Sequence, residues 1–157
     1  VAFVKRACPT CGLVAPVLGQ IARESSLPLT VYTQDDPDFP AEIPHAARID
    51  DASLAASWHH AIETVPTLIR VEHGREHERL VGWVRSEWEG LTGVEGLGPG
   101  LPDWRPGCGS RSVDPDLAPQ LAARFGASRG SSLRSSTIWR PTIMWAIASC
   151  RLKSASM

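Results

Sequence analysis

The 157-residue sequence has no uninterrupted apolar run near the roughly 18 residues that a membrane span requires. Its most suggestive stretch, 138–149, is broken by Arg140 and Pro141, so no membrane partner is expected. Net charge is also scarce: 16 Lys+Arg against 17 Asp+Glu leave −1, which gives no global electrostatic case for a nucleic-acid or anionic-membrane partner. Four cysteines are too few for a disulfide-stapled secreted scaffold. No export signal is expected, because Lys5, Arg6 and Cys8 interrupt the apolar start before an h-region forms. A reducing, cytoplasmic setting is therefore the expectation. There is no solenoid-period repeat, and no Lys-Ser/Thr follows the glycines at 96–100 to make a phosphate loop.

What is present is unevenly distributed. Residues 1–93 hold 13 acids and 8 bases, while 94–157 hold 4 acids and 8 bases, and no acid follows Asp116. The stretch 90–109 packs seven Gly and three Pro into twenty residues, a turn-rich composition. This divides the chain into a domain over 1–93, a Gly/Pro-rich linker over 94–116 and a basic, Ser-rich tail over 117–157. The tail has no packing pattern and reads as disordered or as a truncated remnant.

The first 93 residues carry clear periodicities. Residues 1–5 read as a short buried strand. Val14, Val17, Leu18, Ile21 and Ala22 fall on one helix face that ends near Ser25. Residues 27–33 read as a second strand, bounded by Pro28 and the cluster Asp35-Asp36-Pro37-Asp38. Asp50 or Asp51 can cap a helix whose apolar face is Leu54, Ala55, Trp58, Ala61 and Ile62. Strands at 67–72 and 80–84 flank His73-Gly74-Arg75 as a hairpin, and Ser86-Glu87-Trp88-Glu89 has the capping-box spacing that opens a last helix. The order β-α-β-α-β-β-α predicts an α/β fold with a mixed four-stranded sheet and helices on both faces.

Chemistry concentrates at Cys8-Pro9-Thr10-Cys11, which sits at a strand-to-helix junction. A thiol attacks as its thiolate, and the unpaired N–H groups of a helix start stabilise that anion. Pro9 suits the first helical position, where a missing N–H costs nothing. The three-residue spacing lets Cys11 reach back to resolve a mixed disulfide formed at Cys8. Cys8 is thus the expected exposed nucleophile and Cys11 the more buried resolving thiol, with Lys5 and Arg6 adding positive potential. The competing reading is half of a zinc site, which needs a second ligand pair. Cys108 and Cys150 are single, and the adjacent His59 and His60 point about 100° apart on a helix, so no metal and no cofactor are expected.

With Cys8-Pro9-Thr10-Cys11 after a strand, Pro16 five residues beyond the second cysteine, Thr64-Val65-Pro66-Thr67 before the hairpin and Gly82 in the final strand, residues 1–93 resemble the thioredoxin-like superfamily. The resemblance implies a thiol–disulfide oxidoreductase. It implies a cis Pro66 beside the disulfide and a Val65 backbone that pairs with an extended substrate, so that Pro9, Thr10, Val65 and Pro66 bind substrate. The implied partners are a disulfide-containing protein or glutathione, together with a thiol reductant or reductase. The sequence also departs from thioredoxins proper. Ala7 stands where they carry Trp, Pro9-Thr10 replaces Gly-Pro in a more glutaredoxin-like pattern, and Ala2 stands where a buried Asp assists the second cysteine. Two further readings remain: a redox-inert module that keeps the fold as a binding groove, and a zinc-binding Cys-x-x-Cys protein.

Among other residues, Trp58 reads as core, and Trp83 and Trp88 as side chains that close a sheet face. His73, His77 and the acidic run 35–38 read as solvated. Cys108, between Gly107 and Gly109 with Arg105 and Arg111 nearby, is a possible additional thiol. Residues 101–125 faintly resemble the junction in bacterial proteins where a thioredoxin-like domain precedes a larger one. Cys150 has no role that its surroundings suggest.

Overall fold

The computed structural model describes residues 1–127. Among these described residues the chain forms a mixed α/β unit around one five-stranded sheet, in the order β3-β2-β1-β5-β6. β1 (Ala2–Val4) is central, and all three of its residues are fully buried, as an apolar run flanked on both sides must be. It pairs in parallel with β2 (Val31–Thr33) and antiparallel with β5 (Thr67–Glu72). The expected sheet of four strands is corrected to five. The added strand is β3 (Arg48–Asp50), parallel to β2 at the sheet edge and drawn from the long connection after β2.

β1 runs into α1 (Pro9–Glu24), which begins with Cys8 at the N-cap and Pro9 in the first turn. Its predicted face is confirmed: Val14, Val17, Leu18 and Ile21 are buried with Phe3, Val31, Leu68 and Ile69 in one core. Pro16 lies inside the helix, where it has no N–H to donate. The second helix is shorter than predicted. α2 (Ala55–His59) enters through Leu54 at φ 60° and ends before Ala61 at φ 49°. Asp51 is the capping carboxylate, accepting the N–H groups of Ala56 and Ser57 at 2.9 Å and the Ser57 hydroxyl at 2.6 Å.

β4 (Thr64–Val65) precedes β5, and the two-residue turn His73–Gly74 joins β5 to β6 (Arg75–Val81). Both turn residues have positive φ, 51° and 75°, as a tight hairpin turn demands. β7 (Trp83–Val84) leads into α3 (Arg85–Thr92). The predicted capping box at Ser86 is absent. Ser86 lies inside the helix, Val84 is the N-cap without a side-chain bond, and the Glu89 carboxylate accepts the N–H of Leu97 instead.

The segment read as a linker, 94–116, has defined structure that folds back over the core. β8 (Trp104–Arg105) pairs with β7, and β9 (Cys108–Gly109) pairs with β4, both antiparallel. The Arg85 guanidinium gathers the preceding turn, donating to the carbonyls of Leu97, Gly98 and Leu101 and to Asp103. Trp83 Nε1 donates to Pro102 at 2.7 Å. Trp83 and Trp88 are both buried and pack edge to face, with centroids 5.1 Å apart. Within the region read as a tail, α4 (Ala118–Phe125) sets Leu121 against Leu54 and the buried Trp58 of α2. Cys150 and the remainder of the tail lie outside the described residues.

Candidate functional site at Cys8, Cys11 and Cys108

The parallel pairing of β1 and β2 places the loops that follow them side by side. Asp35, just after β2, accepts the backbone N–H groups of Arg6 and Ala7 at 2.7 and 3.0 Å, and Asp36 pairs with the Arg6 side chain. The acidic run is therefore not simply solvated, because it holds the turn that presents Cys8. Arg6 is spent on this pairing. Lys5 instead donates to the Gly109 carbonyl at 2.6 Å.

At the N-cap of α1, Cys8 Sγ accepts the N–H of Cys11 at 3.3 Å. The Cys8 thiol is lowered to about 5. The Cys11 side chain contributes most, burial opposes, and the Cys108 side chain and backbone N–H groups add to the lowering. Cys11 moves the other way, held protonated first by burial and then by its neighbour Cys8. The two thiols thus divide into one poised as thiolate and one held as thiol.

The expectation of an exposed Cys8 is corrected. Cys8 has no exposed surface, and neither has Cys11. The cover is β9, whose Cys108 pairs with Val65 while Gly109 pairs with Thr64. The Cys108 and Cys8 sulfurs lie 2.6 Å apart, and Cys8 Sγ is 3.5 Å from the Val65 carbonyl. Cys108 itself is only partly buried, and its thiol is raised by burial and by the hydrogen bond to Cys8.

Of the predicted substrate-binding residues, Pro9 is exposed beside the site, whereas Thr10, Val65 and Pro66 are buried. Thr10 Oγ1 donates to the Pro106 carbonyl at 2.8 Å. The Val65–Pro66 bond is cis, the form that the resemblance implies. The Val65 edge, which that resemblance assigns to an extended substrate, carries this chain's own β9. Such close approach needs glycine. A Cβ on Gly107 would run into Thr64 Cγ2 and lie 2.8 Å from the Val65 carbonyl, and one on Gly82 would lie 2.9 Å from the Arg105 carbonyl.

Beyond β9 a buried polar network fixes the strand. Gln34 Nε2 donates to the hydroxyls of Ser57 and Ser110, both at 2.7 Å, and Gln34 Oε1 accepts the N–H of Arg111 at 3.1 Å. The Ser110 and Ser112 hydroxyls are 2.9 Å apart, and Ser112 donates to the Ile62 carbonyl. The sequence reading missed Asp35, Gln34 and Ser110. The one signal that pointed here is the Gly-Cys-Gly run around Cys108.

Among the described residues no group of three or more His, Cys, Asp or Glu side chains is arranged to hold a metal ion, and no helix is long and apolar enough to cross a membrane. Compared with known proteins, the chain matches no family model, no curated protein and no solved structure. The resemblance to the thioredoxin-like superfamily therefore rests on the motif residues themselves.

Proposed function

We propose that the chain is a thiol–disulfide oxidoreductase of the thioredoxin-like kind, working through the Cys8/Cys11 dithiol. The observation that carries this reading is the placement of the pair at the start of α1, where Cys8 Sγ sits at the N-cap and accepts the Cys11 N–H at 3.3 Å, an arrangement that lowers Cys8 while burial raises Cys11. Efficient exchange needs an attacking thiolate, and a sulfur of low pKa is also the better leaving group when the cycle is reversed.

In the reducing direction, Cys8 thiolate attacks a disulfide sulfur. The bond to that sulfur's former partner breaks, and the partner departs as a thiolate that takes up a proton. Cys11 then loses its proton and attacks Cys8 Sγ, closing Cys8–Cys11 and releasing the second substrate sulfur. The substrate gains two electrons and the dithiol loses two, which an external thiol reductant restores. A protein disulfide or glutathione supplies the substrate sulfur, and no metal or cofactor enters the cycle.

The test is reduction of insulin disulfides with a dithiol as electron donor. Cys8→Ser is expected to abolish turnover while leaving the fold intact by circular dichroism. Full turnover in Cys8→Ser contradicts the reading. A Cys8/Cys11 pair that can be neither oxidised nor reduced would instead make the chain a redox-inert binding module.

A further inference from the structure

Cys8 has no exposed surface, so a folded substrate cannot bring a disulfide in line with its sulfur while β9 is in place. The strand is also poorly suited to act as a removable lid. Upstream it is held by β8 pairing with β7 and by the bond from Thr10 to Pro106. At the strand itself, Lys5 binds Gly109. Downstream, Gln34 holds both Ser110 and the N–H of Arg111. Opening it would break all of these hydrogen bonds together. Yet this fixed strand brings a third sulfur to within 2.6 Å of Cys8, on a residue that is only partly buried.

We propose that Cys108 is the thiol that meets the outside disulfide, and that Cys8 receives the exchange from it inside the protein, so that the site is a relay of three sulfurs from Cys108 to Cys8 to Cys11. This deepens the reading above and rests on its Cys8/Cys11 dithiol, with one step altered: the disulfide that Cys8 attacks is the one carried by Cys108 and not the substrate's own.

The steps balance without a further oxidant. Cys108 passes its proton to Cys8 and attacks a substrate disulfide R–S–S–R′, forming Cys108–S–S–R and releasing R′–S⁻, which is protonated from solvent. Cys8 passes its proton to the departing sulfur as it attacks the Cys108 sulfur, forming Cys8–Cys108 and releasing R–SH. Cys11 then loses its proton and attacks Cys8 Sγ, closing Cys8–Cys11 and returning Cys108 to the thiol form. The substrate is reduced by two electrons and the Cys8/Cys11 pair is oxidised by two. The register of β9 on Val65 makes Cys108 a permanently docked substrate sulfur, as the pairing of an extended substrate on that edge would do.

The experiment maps disulfide linkages by mass spectrometry in full-length single variants, in a Cys150→Ser background, after exposure to oxidised glutathione. Cys8→Ser is expected to stop with glutathione on Cys108, and Cys11→Ser to stop at an internal Cys8–Cys108 disulfide. Cys108→Ser is expected to lower insulin reduction by about ten-fold or more, since Cys8 then lacks its entry sulfur. Glutathione found on Cys8 in Cys11→Ser, no adduct at Cys108 in Cys8→Ser, or full turnover in Cys108→Ser each overturns the relay while leaving dithiol exchange intact. The linkage maps of the other two variants decide the matter even where Cys108→Ser fails to fold. Failure of the underlying reading looks different: Cys8→Ser keeps full turnover, or the parent protein never forms Cys8–Cys11.

Discussion

Residues 1–93 and 94–127 are held together by different means. The first region is a sheet and helix around shared apolar side chains, with Phe3, Val4, Val14, Leu18, Leu68 and Ile69 buried in one cluster. The second contributes few apolar anchors, chiefly Val94, Leu97 and Leu121. It is fastened instead by side chains that reach backbone carbonyls and by the Gln34–Ser110 network. Hydrophobic burial tolerates approximate geometry, whereas buried hydrogen bonds are directional and costly when left unmade. The lesson is that the region with the weaker hydrophobic signal is the one positioned most narrowly, and it is the one that brings Cys108 to Cys8.

Removing core bulk should give the largest effect. Phe3→Ala empties a fully buried position on the central strand, where it stacks on Tyr32. It is expected to cost about 3–5 kcal/mol, with both regions lost in one denaturant transition; two separate transitions would break the comparison. Gln34→Ala comes next, at about 1–3 kcal/mol, because it strands the Arg111 N–H and takes one partner from the Ser110 hydroxyl. Hydrogen exchange should quicken over 108–113 while β1 and β5 stay protected. Uniform quickening would show that the second region has no separate fastening.

A pH dependence should follow in the reduced protein. Between about 5 and the ordinary thiol value of 9.0, folded Cys8 has lost its proton and the unfolded chain keeps it. Stability should therefore rise with pH across that window and lose this contribution as pH falls through about 5. Above the ordinary value the raised thiols of Cys11 and Cys108 reverse the slope. Denaturation at several pH values checks this, and Cys108→Ala should move the Cys8 thiolate absorbance midpoint upward by removing one of the side chains that lower it. The smallest effect is assigned to Ser86→Ala, within about 0.5 kcal/mol, because Ser86 caps nothing. A loss near 1 kcal/mol would restore the capping box.

How much was legible in the sequence follows the same division. The face of α1 and the turn at His73–Gly74 were readable, since each depends on a local period or turn chemistry, but the second hairpin strand, expected at 80–84, is β6 at Arg75–Val81 and stops before Gly82, whose φ is 75°. β3 was not. Arg48-Ile49-Asp50 carries a single apolar residue, itself 41% exposed, and becomes a strand only because an edge of β2 is free to pair. The Cys8-Pro9-Thr10-Cys11 motif was readable as chemistry, but its burial was not, because the cover comes from a segment 100 residues away. Gly107 and Gly109 looked like linker glycines. At Gly107 the absent side chain is what lets β9 lie against Thr64 and Val65.

The central claim is that Cys8 and Cys11 exchange electrons. The most direct measurement is the fraction of Cys8–Cys11 disulfide in the full chain, equilibrated across thiol–disulfide buffers and read by thiol trapping. A reversible two-electron transition within about −120 to −270 mV is the predicted result. A pair that stays entirely reduced, or entirely unreactive, across that range would contradict it.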